Sequence, residues 1–214
     1  VLEKANTFEA GLKRGSGDLR FEASVYHTRF QNFIFKNFTG IMCGNTFVTC
    51  GQPGASFDQI IYSQRDARFT GAEIQFEKDV APVLNGVWGF EGQYDFVSAR
   101  FTDGSYVPKI PPHRAGGGLY YRDPNWVARI NLLHAFAVTR LAAFETPTSG
   151  FNLLNAEISY TTKLASRSLV PEVTIGLKGE NLLNERIRLH QSYKKDEVLQ
   201  AGLNVRLFAS MKLN

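Results

Sequence analysis

Apolar and polar residues alternate one by one along most of this chain, in stretches of roughly 8 to 14 residues separated by turn-forming clusters. Phe8, Ala10 and Leu12 alternate with Glu9, Gly11 and Lys13, and after Gly15-Ser16-Gly17-Asp18 the pattern resumes through Leu19, Phe21, Ala23 and Val25. It recurs in RFTGAEIQFEK (68–78), WGFEGQYDF (88–96) and GGGLYYR (116–122), and in WVARINLLHAF (126–136) beyond the tight Asp123-Pro124-Asn125 turn. LLNAEISYTT (153–162), VTIGLKGE (173–180) and the final stretch around NVRLFASMK (204–212) complete it. Side chains of a strand point alternately to opposite faces, so a period of two means strands with one apolar and one polar face. The pattern predicts an all-β, antiparallel fold of about nine strands with no helix. Residues 37–57, rich in Gly, Asn and Thr, are expected to be irregular.

Two architectures share this pattern. In a soluble sandwich the apolar faces meet in a core; in a membrane barrel they face lipid and the polar faces line a lumen. The links after strands one, three, five and seven are short, and those after two, four, six and eight run to roughly ten residues or more, the asymmetry of an outer-membrane barrel. Trp88, Trp126, Phe136 and Tyr160 fall on apolar registers near strand ends, where an interfacial girdle would lie. A transmembrane β-barrel is therefore the expectation, with Glu73, Glu77, Glu91, Arg129, Glu157, Lys178, Glu180 and Arg206 facing the lumen. The mean hydropathy of −0.19 does not oppose this, because alternation averages out. No apolar run approaches the roughly 18 residues of a spanning helix. The net charge of +4 is scattered, with no basic stripe interleaved with aromatics, so nucleic acid is not an expected partner.

Cys43 and Cys50 lie close together in CGNTFVTC. They could close a small disulfide in an oxidising compartment, remain free, or form half of a metal site; no C-x-x-C and no nearby His supports metal, so the disulfide is expected. The four histidines show no metal-binding spacing. His27, His113 and His190 fall near the outer ends of strands or in outer loops, where they are candidates for collecting a metal ion, whereas His134 sits on an apolar register. No Gly-rich phosphate loop precedes a helix and no G-x-S-x-G occurs, so no enzymatic activity is expected.

RDARFTGAEIQFE (65–77), VPKIPPHRAGGGLYYR (107–122), GLKGENLLNERIR (176–188) and AGLNVRLFASMKLN (201–214), in this order, resemble the C-terminal part of the barrel of TonB-dependent outer-membrane receptors. Asn181, Leu182 and Asn184 match a recurring N-L-x-N element of the penultimate strand. Two departures stand out: Ala201-Gly202-Leu203 replaces the family's Pro-Gly-Arg, and the chain stops at Asn214 rather than at an aromatic. The resemblance implies that residues 1–214 are a single, incomplete domain: the last strands of a barrel of roughly 22, without its plug domain. It implies the outer membrane of a Gram-negative bacterium and uptake of a scarce metal ion or chelate (zinc, siderophore or haem), and the wording of LHQSYKKDEVLQAGLNVRLFASMKLN (189–214) resembles the zinc or metal-ion receptors of the family. It implies partners in membrane lipid, in TonB through the plug and in the metal cargo, with no permanently bound cofactor. A self-contained β-sheet binding or adhesion module, or a small passive diffusion barrel, is the alternative.

Overall fold

In the computed structural model, which describes residues 1–46, 48–163 and 172–212, strands form where the residues alternate. They are β1 (Lys4–Arg14), β2 (Leu19–Cys43), β3 (Phe57–Val83), β4 (Gly86–Phe101), β5 (Arg114–Arg122), β6 (Trp126–Ala135), β7 (Phe151–Thr162), β8 (Glu172–Glu180) and β9 (Asn204–Lys212). Each pairs antiparallel with its sequence neighbour, giving one sheet in the order β1 to β9. Among the described residues no helix is present, and β1 and β9 do not pair with each other. Most of the β7–β8 link lies outside the described residues. The other short links (15–18, 84–85, 123–125) gather at one end of the sheet, and the long ones (44–56, 102–113, 136–150, 181–203) at the other.

The expectation of an irregular stretch over 37–57 is corrected. β2 continues to Cys43 and β3 begins at Phe57, so these strands have 25 and 27 residues, far more than the roughly 9–11 that cross a bilayer. Their outer halves project as a hairpin. Alternation hid this extension because both faces there are apolar, as in Phe33-Ile34-Phe35 and Ile60-Ile61-Tyr62. Register shifts at 30–33 and 38–42 also break the period. Asn32 (φ 56°) and Gly40 (φ 76°) take up those irregularities in the left-handed region, which Asn and Gly tolerate best.

The two faces differ in what covers them. The apolar face is bare: Leu119 is 55% exposed, Ile175 53% and Leu207 75%. In water, leaving each such side chain unburied would forgo roughly 1.5–3 kcal/mol, so a soluble sheet would pack something against this face. The aromatics sit at its two margins. Trp126 and Tyr160 meet at 4.8 Å between centroids near the short turns, while Tyr94, Phe96 and His113 cluster toward the long loops. Buried apolar groups occur instead under the long loops: Phe35, Ala67, Ala99, Phe101 and Val107 form one small core, and Ala135, Phe151 and Ile187 another.

Close approach across strands accounts for several glycines. Tyr26 stands opposite Gly71, Phe76 opposite Gly92, Tyr120 opposite Gly89 and Phe208 opposite Gly176. In each pair the ring lies where the glycine Cβ would be, 2.4–2.5 Å from its ideal position. The aromatic thus covers backbone that the glycine leaves bare.

Candidate functional site

The charged face is the inner side of the sheet's curve. Arg129 of β6 reaches Glu77 of β3 at 2.9 Å, although three strand spacings on a flat sheet amount to roughly 14 Å. Arg129 is moreover level with Asp79, through Tyr120 and Gly89, and so offset from Glu77 by two residues, about 7 Å along the strand. Even fully extended side chains would not span both distances on a flat sheet, so the sheet bends toward them. Glu77 and Glu91 stand directly opposite each other, an arrangement that repels. Arg129 bridges the two, with Glu91 at 2.7 Å, and Arg20 adds a second positive charge at Glu77, 3.2 Å away. Beside them, Arg20 and Arg122 converge on Asp79 at 2.9 and 2.8 Å, and Tyr120 donates its hydroxyl hydrogen to the same carboxylate at 2.5 Å. Farther along, Glu180 accepts from Lys178 at 3.2 Å and from Arg206 at 3.1 Å.

All eight charged residues singled out by alternation fall on this one face. Arg129, Glu157, Lys178 and Arg206 form a continuous cross-strand row, and Glu73 stands opposite Asp95. Asp79, the hub of the largest network, was missed. Its signal was the continuation of the polar register Glu73, Gln75, Glu77 to one more position.

At the outer end, loops from distant parts of the chain meet. Asn181 (φ 50°, 3% exposed) ends β8 and becomes a hub. Its Nδ2 donates to the carbonyls of Glu185 and Ala201 at 3.0 and 3.1 Å, while its Oδ1 accepts from Glu185 N–H at 2.9 Å. Asn184 Oδ1 accepts from Leu203 N–H at 3.0 Å. Both asparagines of the N-L-x-N element thus tie the start of the 181–203 loop to its return. Glu145, its side chain 1% exposed, accepts from the N–H groups of Lys109 and Ala142 at 2.9 and 3.0 Å and lies 3.7 Å from His190 Nε2. Burial pushes the Glu145 carboxyl up, but His190 and the two N–H groups outweigh it and hold it down at about 2. Lys195, 2% exposed, donates to Thr146, to the Pro147 carbonyl and to Asp196. Tyr193 contacts Phe38 of the projecting hairpin at 5.9 Å and lies under Lys36 and Lys109 at 4.8 and 5.4 Å. Three outer loops and the hairpin are therefore packed together, over cavities of about 320 and 300 Å³.

The candidate histidines occupy separate places. His27 lies on the apolar face of β2 with Nδ1 2.8 Å from Thr70 Oγ1, and His113 meets Tyr94 and Phe96 on that same face. His190 is buried among the loops, 2.8 Å from Thr148 Oγ1. The structure does not bring them together, and among the described residues no group of three or more His, Cys, Asp or Glu side chains could hold a metal ion. Cys43 and Cys50 do form a disulfide, at the tip of the projecting hairpin.

A curved antiparallel sheet with an exposed apolar outer face, a charge-laced inner face, short turns at one end and long loops at the other is the wall of a transmembrane β-barrel. Residues 2–182 match the family described as TonB dependent receptor-like, beta-barrel, and the chain belongs to that family. Among solved structures it is similar to the copper transporter OprC, with TM-score 0.74 and 18% identity, over 97% of this chain and 31% of that one. It is also similar to the ferric-catecholate import receptor Fiu from K12 E. coli in its closed form, with TM-score 0.58 and 18% identity, over 98% of this chain and 27% of that one. The chain thus spans about a third or less of the receptors it matches, and at these identities the likeness concerns the fold.

Proposed function

We propose that this chain forms part of a receptor in the outer membrane of a Gram-negative bacterium that imports a scarce metal ion or metal chelate with energy delivered through TonB. The observation that carries the reading is the pairing of the family match with a sheet whose bare face is apolar and whose opposite face is charged. In this reading lipid covers Leu119, Ile158, Ile175 and Leu207. Glu73, Glu77, Glu91, Arg129, Glu157, Lys178, Glu180 and Arg206 face the lumen and meet the plug domain on which TonB acts. The folded outer loops take part in capturing cargo. The similarity to a copper transporter and to a ferric-catecholate import receptor supports a metal-linked cargo. The metal is cargo rather than a resident cofactor, and the receptor carries out no catalysis. Zinc gains no support from the separated histidines.

The test is uptake by cells carrying or lacking the full-length gene, supplied with labelled zinc, copper or iron chelates. One metal species should enter only when the gene is present, and dissipating the proton-motive force should abolish its entry. Unchanged uptake of every species would sink the proposal.

A further inference from the structure

Arg29 of β2, Arg68 of β3 and Arg100 of β4 stand abreast, each directly opposite the next across the ladder. By register they lie on the bare apolar face, with Val25 and Ile74, and all three are exposed. Neighbouring strands are about 4.8 Å apart, so three positive charges fall within about 10 Å. Like charges directly opposite each other repel, and the row costs stability where no anion offsets it. Among the described residues no carboxylate lies within 4.0 Å of any of the three. Arg100 is held by neutral groups, donating to the Gly104 carbonyl at 2.9 Å and to the Tyr106 hydroxyl at 2.6 Å. Asp66, two residues from Arg68, accepts from the Asn32 N–H instead.

The depth of the row is set by the strands. From Leu19, beside the short turn, to Arg29, β2 runs eleven residues, about the length that crosses a bilayer. The arginines therefore sit at the outer margin of the apolar band, where lipid headgroups begin. Below them the same face changes in order. His27, Thr70 and Ser98 form the next row, with His27 Nδ1 2.8 Å from Thr70 Oγ1. In the two rows below that, the small side chains of Ala10, Ala23 and Ala72 leave a shallow groove of about 420 Å³ among Leu12, Val25 and Ile74. Ser24 and Glu73 also border it, although register puts their side chains on the charged face. A charged, then a polar, then an apolar level match in order the phosphate, the linkage and the acyl chain of a lipid.

We infer that this strip binds a phosphorylated lipid of the outer leaflet, with its phosphates on Arg29, Arg68 and Arg100 and an acyl chain in the groove over Ala10, Ala23 and Ala72. Guanidinium forks grip phosphate oxygens in pairs, and three of them suit a headgroup carrying two phosphates. A soluble anion would meet the arginines but gain nothing from the groove. The inference rests on lipid covering the apolar face and is independent of the cargo.

Native mass spectrometry of the detergent-solubilised full-length receptor tests it, with bisphosphorylated lipid A as the probe. Dephosphorylated lipid A, phosphatidylethanolamine and inorganic phosphate are the comparisons. The probe should bind at least tenfold better than either other lipid, and inorganic phosphate should not displace it. Replacing Arg29, Arg68 and Arg100 together by Gln should weaken binding at least tenfold, and Ala72→Trp should weaken it by filling the groove. Lys78→Gln, which removes a cation from the other end of the same face, should leave it unchanged. Heat-modifiable migration on gels confirms that each variant is a folded barrel. Arg68→Gln alone, with an expected loss of at least threefold, decides the matter if the larger changes do not fold. Wild-type binding in the arginine variants, an equal loss in Lys78→Gln, equal binding of dephosphorylated lipid A or displacement by inorganic phosphate would overturn the inference. Failure of the receptor reading is a different result: cells with the gene take up no metal species, while the purified barrel still binds the lipid.

Discussion

Asn181 shows how much one residue can organise. Its amide makes three hydrogen bonds inside the loop while its backbone takes the left-handed turn that ends β8. Asn181→Ala takes the partner from two carbonyls and one N–H, all part-buried, and puts a less tolerant residue at φ 50°, a loss of about 2 kcal/mol. The expected result is faster amide exchange across 181–203 in the full-length receptor, with β6 and β7 unchanged; uniform protection in the variant would contradict the role given to it. The N-L-x-N element could be singled out from sequence, but its partners could not, because Ala201 lies on the far side of the loop. The same holds for Asp79 and for the aromatic–glycine pairs, whose members sit on different strands.

At the scale of elements, the long loops behave as packed structure rather than as loose connections. Glu145 links the 102–113, 136–150 and 181–203 segments through Lys109, Ala142 and His190. Its carboxyl is held at about 2 against an ordinary 4.5, so the folded state favours the ionised form. The stabilisation is fully present above about pH 4.5 and is lost as pH falls toward 2. Protection of these three segments from hydrogen exchange should therefore hold from neutral pH to about 4.5 and fall together below it, whereas Glu145→Gln should remove that dependence. Loosening of 136–150 alone would show that the segments are not joined through this carboxylate. Sequence alternation located the strands between these loops well, and it failed on the projecting hairpin, where apolar residues on both faces and two register shifts erase the period.

For the whole molecule, the decisive asymmetry is between its two faces. Ile158 lies on the bare apolar face, 46% exposed, and Gln93 on the charged face. Ile158→Lys should reduce the folding stability of the full-length receptor in lipid vesicles by about 2–4 kcal/mol, and Gln93→Lys by less than about 0.5 kcal/mol. Equal effects of the two substitutions, measured by urea titration in vesicles, would mean that lipid does not cover the apolar face.

The sequence by itself determined the all-β class, the number and order of strands and the face on which each charge falls, because these follow from alternation and turn chemistry within a dozen neighbouring residues. Only the tertiary structure decided which charges meet, as when Arg129 reaches across β5 to Glu91 and across β4 and β5 to Glu77. It also decided that the outer loops pack over a cavity floored by Leu133, Phe151 and Leu153. Those contacts depend on the curvature of the sheet and on the path of long loops, and both join residues whose separation along the chain carries no local pattern.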